Sequence, residues 1–237
     1  MIKAVLFDLD NTLCNTTKAL APSLSTCYRF LANHYSEIDE KKFIELQGKI
    51  FDKLTRKQKI PLYSSQALLW HEIFYRLKLK IKPDLIKELI LLLDDELAKN
   101  VELFPNVETM LQQIKKMKLK TAILSNGSYV SKASRFEFLN LKEYIDVLVS
   151  SDLVRRDKPS HRAFSYVLKR LEVKPEEAIF VGDELEADIH GAQNFGMKAI
   201  YNEWNEQKLD PELAHIKPDY VVKKPDDVIE LLKKLIK

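Results

Sequence analysis

Glycine is scarce, at 5 residues in 237, against roughly 7% in an average protein. That excludes collagen-like, linker-rich and turn-rich all-β chains. No G-x-G-x-x-G occurs either, so a dinucleotide-binding fingerprint is missing. The only cysteines are Cys14 and Cys27. Two thiols build neither a disulfide framework nor a cysteine-rich zinc site, and they read as reduced, packed groups of a cytoplasmic protein. Long apolar runs are absent: Ala4–Phe7 stops at Asp8 and Leu89–Leu93 at Asp94. Neither reaches the length of a bilayer span or a signal peptide, so no membrane partner is expected. A dominant charge sign is missing too, with 38 Lys+Arg against 35 Asp+Glu. The basic residues recur singly or in pairs along helical stretches, without an aromatic-laced stripe, which argues against a nucleic-acid partner.

Hydrophobic residues make up 46% of the chain, ample for a sizeable core. The first segment, Lys3 to Asp10, is an apolar run ending in acids and reads as a buried strand with Asp8 and Asp10 at its carboxyl end. From Thr16 to Asn100 strand signals vanish. Leu24, Tyr28, Leu31 and Tyr35 recur at helical spacing, as do Phe43, Leu46, Ile50 and Leu54, and two further stretches, Leu68–Leu79 and Leu85–Leu97, follow suit. Pro61 and Pro83 separate these segments as helix stops. Four helices in a row predict a helical bundle.

Beyond Phe104 strands and helices alternate. Lys120–Asn126, Val147–Ser150, Ala178–Asp183, Lys198–Asn202 and Tyr220–Val222 read as strands. Helices are expected over Pro105–Met117, Tyr129–Phe138, Ser160–Leu171, Ala187–Phe195 and Asp226–Ile236. That rhythm predicts a doubly wound, Rossmann-like parallel α/β sheet, with the first strand in it. The expected organisation is a core of residues 1–15 and 101–237, interrupted by a helical domain of residues 16–100.

Ligands of an open α/β sheet bind outside the carboxyl ends of its strands. There the sequence delivers Asp8, Asp10 and Thr12, then Ser125, Asn126 and Gly127, then Lys158 and Pro159, and last Gly182, Asp183 and Asp188. Four carboxylates on one edge are untenable without a cation. Hard oxygen donors favour Mg²⁺ shared with a phosphate. Lys158 then serves as a point charge against phosphoryl oxygens, and Ser125 with the N–H groups ahead of the next helix can donate to them.

Asp8-Leu-Asp-Asn-Thr12, Ser125, Lys158-Pro159 and Gly182-Asp183 with Asp188, in that order, resemble the four motifs of the haloacid dehalogenase-like superfamily. The helical insertion between the first two motifs is similar to the cap of its alpha-helical-capped subfamily, and the resemblance covers nearly the whole chain. It implies that Asp8 attacks phosphorus to give an aspartyl-phosphate. Asp10 would protonate the leaving alcohol and then activate water. Thr12 would hold the phosphate-facing loop; Ser125, Asn126, Gly127 and Lys158 would bind the phosphoryl group. Mg²⁺ would be held by Asp8, the Asp10 carbonyl and Asp183, with Asp188 acting directly or through water.

Within that family the dehalogenases carry tyrosine, and phosphonate hydrolases alanine, where Asp10 stands, so phosphate-ester chemistry is implied. No Arg-Gly pair of the sugar-phosphate mutases occurs. The resemblance thus implies a phosphatase acting on a small phosphorylated metabolite, such as a triose or sugar phosphate or phosphoglycolate. A phosphotransferase or mutase, or a non-catalytic binding module on the same fold, are the alternatives; oligomeric state is left open. Glu184, next to Asp183, and Ser160-His161, after Pro159, depart from the family pattern. Candidate readers of the leaving group are Thr16–Lys18, Arg56–Lys59 and Tyr63–Ser65. Cys14, though near the first motif, is expected to be a packed thiol.

Overall fold

The structure is a computed structural model that describes residues 1–35, 38–205 and 211–236. Strand β1, Ala4–Phe7, is buried on both faces, as its unbroken apolar run requires. It ends before the acids, three residues short of the expected limit, because the chain bends at once: Asn11 takes a left-handed conformation at φ 57°, which asparagine tolerates better than most residues. On one side β1 pairs with β2 (Lys120–Ser125), Phe7 opposite Ile123. Strand β3 (Val147–Ser150) follows β2 outward. On the other side β1 pairs with β4 (Ala178–Gly182), Phe7 opposite Val181, then come β5 (Lys198–Asn202) and β6 (Tyr220–Val222). The order is β3-β2-β1-β4-β5-β6, parallel throughout. The chain thus winds away from β1 in both directions, and the crevice that this creates opens at the carboxyl ends of β1 and β4.

After β1, residues 16–100 fold into four α-helices, α1 (Thr16–Ala32), α2 (Glu40–Asp52), α3 (Leu62–Arg76) and α4 (Pro83–Asn100), with a π-helical turn at Lys53–Lys57. Asn15 caps α1 by accepting the Lys18 N–H at 2.9 Å, and Asp39 caps α2 through Lys42 at 2.8 Å. Such caps are worth about 1 kcal/mol each. The prolines work differently from the stops expected of them. Pro83 is the first residue of α4 and Pro61 directly precedes α3, positions where a missing N–H costs nothing. Inside the helical block Phe43 stacks on Trp70 at 6.1 Å, with Leu31, Phe74 and Leu89 buried around them. This interior is continuous with one face of the sheet, through Leu9 and Leu13 to Ile123 and Ile179.

The remaining helices are α5 (Val107–Lys116), α6 (Tyr129–Phe138), the short α7 (Ser151–Val154), α8 (His161–Leu171), α9 (Gly191–Asn194) and α10 (Pro225–Leu235). On the second face α8 sets Phe164 edge-on against Phe180 of β4 at 5.6 Å, a pairing worth about 0.5–1.5 kcal/mol beyond the area it buries. The helix expected over Ala187–Phe195 is a wider, π-type turn at Leu185–His190 followed by α9. No helix among the described residues is long and apolar enough to cross a membrane.

Candidate active site

Asp8 follows β1, and Asp183 follows β4, the strand hydrogen-bonded beside it. Asp188 reaches the same point from the π-type turn, which folds back over the end of β4. Carboxylate oxygens of these three buried residues lie within 4.8 Å of one another. Lys158 brings its ammonium between two of them, 2.6 Å from Asp8 Oδ1 and 2.6 Å from Asp188 Oδ1. The other oxygen of Asp188 accepts the N–H groups of Asp183 and Glu184, each at 3.1 Å. Asp188 therefore fixes both the lysine and the backbone that carries Asp183.

This fold-back needs Gly182. A Cβ there would fall inside the carboxylate of Asp188, so Gly182→Ala has to push Asp188 off Lys158. We expect the variant to lose about 1–3 kcal/mol in urea denaturation, the cost of overpacking a filled site, with the overall far-UV spectrum kept.

The electrostatics follow from burial. Desolvation pushes the Asp8 carboxyl up to about 6, against the opposing pull of Lys158 and with repulsion from Asp188 and Asp10 added. Burial, then Asp188 and Asp8, push Asp183 well above the usual carboxylate range. Burial alone would lower the Lys158 ammonium, but Asp188 and Asp8 overcome it and hold the group well above the ordinary lysine range. One fixed cation thus faces three crowded carboxylates, and a divalent, oxygen-seeking ion fits the surplus.

Asp10 is elsewhere. Its carboxylate takes no part in the triad and turns to Thr16 Oγ1 at 2.6 Å, Arg135 Nη1 at 3.0 Å and the Lys132 ammonium. Burial opposes ionisation there, but Arg135 and Lys132 outweigh it and hold this carboxyl well below its usual range. Neither cation belongs to a sequence motif. Their i, i+3 spacing on α6 places both on one face of that helix.

Thr12 donates to Asp183 Oδ1 at 2.9 Å and accepts from the Asn202 amide at 2.9 Å. Its side chain thereby braces the triad. Asn202, at the end of β5, is joined by Trp204, whose indole N–H donates to the Thr12 carbonyl at 2.9 Å, and by Asn205, which reaches Asp183 Oδ2 at 3.0 Å. These three supports carry no motif; the position of β5 beside β4 is what could have pointed to them.

Ser125 closes β2 and is buried. The Asn126 amide accepts the Lys158 N–H at 2.7 Å and so ties the lysine loop to β2. The Gly127 N–H goes to Ser151 Oγ at 2.8 Å, and Gly127 takes φ 118°, which its missing side chain allows. Of the leaving-group candidates, Thr16 and Thr17 are engaged with Asp10 and Asn11, and Lys18 with Glu102. Arg56 pairs with Asp52 on an exposed surface. Tyr63–Ser65 opens α3, whose Leu62 N–H donates to Asp157 Oδ2 at 2.6 Å, next to Lys158. Cys14 is buried, and desolvation pushes its thiol up to about 12, which leaves it inert at neutral pH.

A carboxylate at the switch of a parallel sheet, a buried lysine on it and two further acids at the next strand thus form one buried cluster. The haloacid dehalogenase-like hydrolase family model matches residues 5–201, and the chain belongs to that family of hydrolases. It is 26% identical over 241 residues to the glyceraldehyde 3-phosphate phosphatase of Methanopyrus kandleri, with all of both chains covered. It is 30% identical over 233 residues to the pyrophosphatase PpaX of Bacillus cereus, covering 98% of this chain and 96% of that one. The fold is shared with the HAD-hydrolase YfnB of Bacillus subtilis, solved bound to magnesium, at a TM-score of 0.74, 17% identity and 98% coverage of each chain.

Proposed function

We propose that the protein is a Mg²⁺-dependent phosphatase that hydrolyses a small phosphorylated metabolite in the cytoplasm through an aspartyl-phosphate on Asp8. The observation that carries this is the buried set of Asp8, Asp183 and Asp188 around one ammonium. The names of the two enzyme relatives support a phosphoryl substrate, and the magnesium of YfnB supports the metal.

Asp8, Asp183 and the Asp10 carbonyl, with Asp188, would hold Mg²⁺, which when bound neutralises carboxylate and phosphoryl charge alike. Lys158, fixed by Asp188 and by the face of Phe180 at 5.2 Å, holds the Asp8 carboxylate and offsets the charge on the equatorial oxygens. Ser125 donates to the same group. Asp8 attacks phosphorus, the bond to the leaving oxygen breaks, and Asp10 delivers a proton to that oxygen. Water activated by Asp10 then hydrolyses the aspartyl-phosphate. To act as an acid, Asp10 must first take up a proton and let go of Lys132 and Arg135.

The helices of residues 16–100 serve as a cap over a core of residues 1–15 and 101–237. Closing over the bound ester excludes bulk water, and the Leu62–Asp157 bond ties that movement to the lysine loop.

The test is phosphate release by the purified chain over a panel of small phosphate esters, with Mg²⁺ or with a chelator. Release with metal and none without is expected; chelator-insensitive release, or none from any ester, overturns the proposal.

The metal also has a stability signature. Asp8 and Asp183 titrate above their unfolded values, so their contribution is fully present below about pH 4 and fades as the pH rises through their folded values, about 6 for Asp8. The melting temperature of the metal-free protein should therefore drop between pH 5 and pH 7.5. Saturating Mg²⁺ should restore several degrees at pH 7.5, about 3 kcal/mol at a hundred times its dissociation constant, and less at pH 5. Melting curves insensitive to Mg²⁺ at pH 7.5 would contradict the assigned ligands.

A further inference from the structure

Lys132 and Arg135 bring two positive charges to one carboxylate. Both end on Asp10, and both side chains are nearly out of solvent, at 7% and 4% exposure against 23% for Asp10. Among the described residues neither cation has a second acid within ion-pair distance. Arg135 spends its Nε and Nη2 hydrogens on the carbonyl and hydroxyl of Ser131, which satisfies donors without cancelling charge. The cluster thus carries a net charge of about +1 where burial makes an unpaired ion costly.

The imbalance deepens during the reaction read above, on which this inference rests. When the Asp10 side chain turns to the leaving oxygen, Lys132 and Arg135 lose the one anion that they share. A neutral alcohol offers nothing in exchange. A leaving group with its own negative charge does, and it stands on the correct side, because Asp10 must touch the leaving oxygen. We propose that Lys132 and Arg135 are the receptor for an anionic group on the leaving half of the substrate. The preferred substrate is then a phosphoryl compound with a second anion beyond the scissile P–O bond. That anion is a carboxylate, as in a phosphorylated hydroxy acid, or a phosphoryl group, as in a pyrophosphate. The incoming anion displaces Asp10 from α6 as it binds, so recognition and release of the acid are one event. Atoms balance as for any ester: the P–O bond breaks, phosphorus passes to Asp8, and the proton of Asp10 goes to the leaving oxygen.

The experiment compares kcat/KM of the full chain with Mg²⁺ on 2-phosphoglycolate, inorganic pyrophosphate and the uncharged size match 2-hydroxyethyl phosphate. The wild type should favour at least one anionic probe over the neutral one; which of the two it favours separates carboxylate from phosphoryl. In Lys132→Gln and in Arg135→Gln that preference should shrink by about 10–100-fold, the worth of one charge-assisted hydrogen bond. Lys132→Arg should retain most of it. Should the glutamine variants fold poorly, titration of 2-phosphoglycolate into Asp8→Asn and Asp8→Asn/Lys132→Arg proteins, against 2-hydroxyethyl phosphate, reads the same preference from binding alone. Equal losses on all three probes, or a wild type that favours the neutral ester or binds both equally, overturn the inference and leave the phosphatase reading standing. No phosphate release from any probe overturns that reading, and this inference with it.

Discussion

Asp8→Asn should lower phosphate release by about a thousandfold or more, as removal of a nucleophile does, while the metal-free protein at pH 7.5 melts no lower than the wild type. The two halves have one cause. Asp8 sits with Asp183 and Asp188 in a buried cluster, and desolvation already pushes its carboxyl up to about 6. A neutral amide of the same shape removes repulsion that the fold otherwise carries, and still accepts from Lys158 Nζ through its oxygen. A merely structural aspartate at the end of β1 would give the opposite pattern, with stability lost and no activity to lose. Phosphate assay and thermal melting on one preparation separate the two.

Lys158→Ala is the second large effect, and it falls on both properties. The lysine is 2% exposed and bonds Asp8 and Asp188 at 2.6 Å each. Without it the triad has no cation within ion-pair distance among the described residues, and breaking a buried pair in this way costs about 3–5 kcal/mol. Phosphate release should be lost with it. The stability deficit, measured by urea denaturation, should be larger at pH 7.5 than at pH 5.5, because the abandoned carboxylates take up protons as the pH falls. Mg²⁺ should recover part of it. A deficit independent of pH and metal would mean that Lys158 matters for packing on Phe180 and not for charge.

Much of this site is legible in the sequence, for a physical reason. Its carboxylates and lysine stand next to strands whose apolar runs are unmistakable, and a parallel α/β sheet gathers strand ends at one edge. Asp8, Ser125, Lys158 and Asp183 therefore come together once strand order is granted, and β1 through β6 all lie where their runs of Val, Ile, Leu, Phe and Ala place them.

What stayed hidden depends on tertiary contact. A lysine and an arginine three apart on α6 belong to no motif; only the adjacency of β2 to β1 turns their face onto Asp10. Asn202, Trp204 and Asn205 belong to no motif, and they matter because β5 lies beside β4. Asn126 and Gly127 are partly legible. Their place beside Ser125 suggests phosphate contact, and tertiary structure adds what the motif does not show: the side-chain amide of the first holds the Lys158 loop and the N–H of the second holds Ser151. Pro83 does separate two helices, but by beginning the second and not by stopping the first.

The central claim is a covalent phosphoryl group on Asp8, and it is tested most directly by acid-quenching the enzyme during turnover and weighing its peptides by mass spectrometry. The account predicts a gain of one phosphoryl group on the peptide that contains Asp8, dependent on Mg²⁺ and absent from Asp8→Asn. Turnover without such a gain on that peptide, or the same gain in Asp8→Asn, would contradict it.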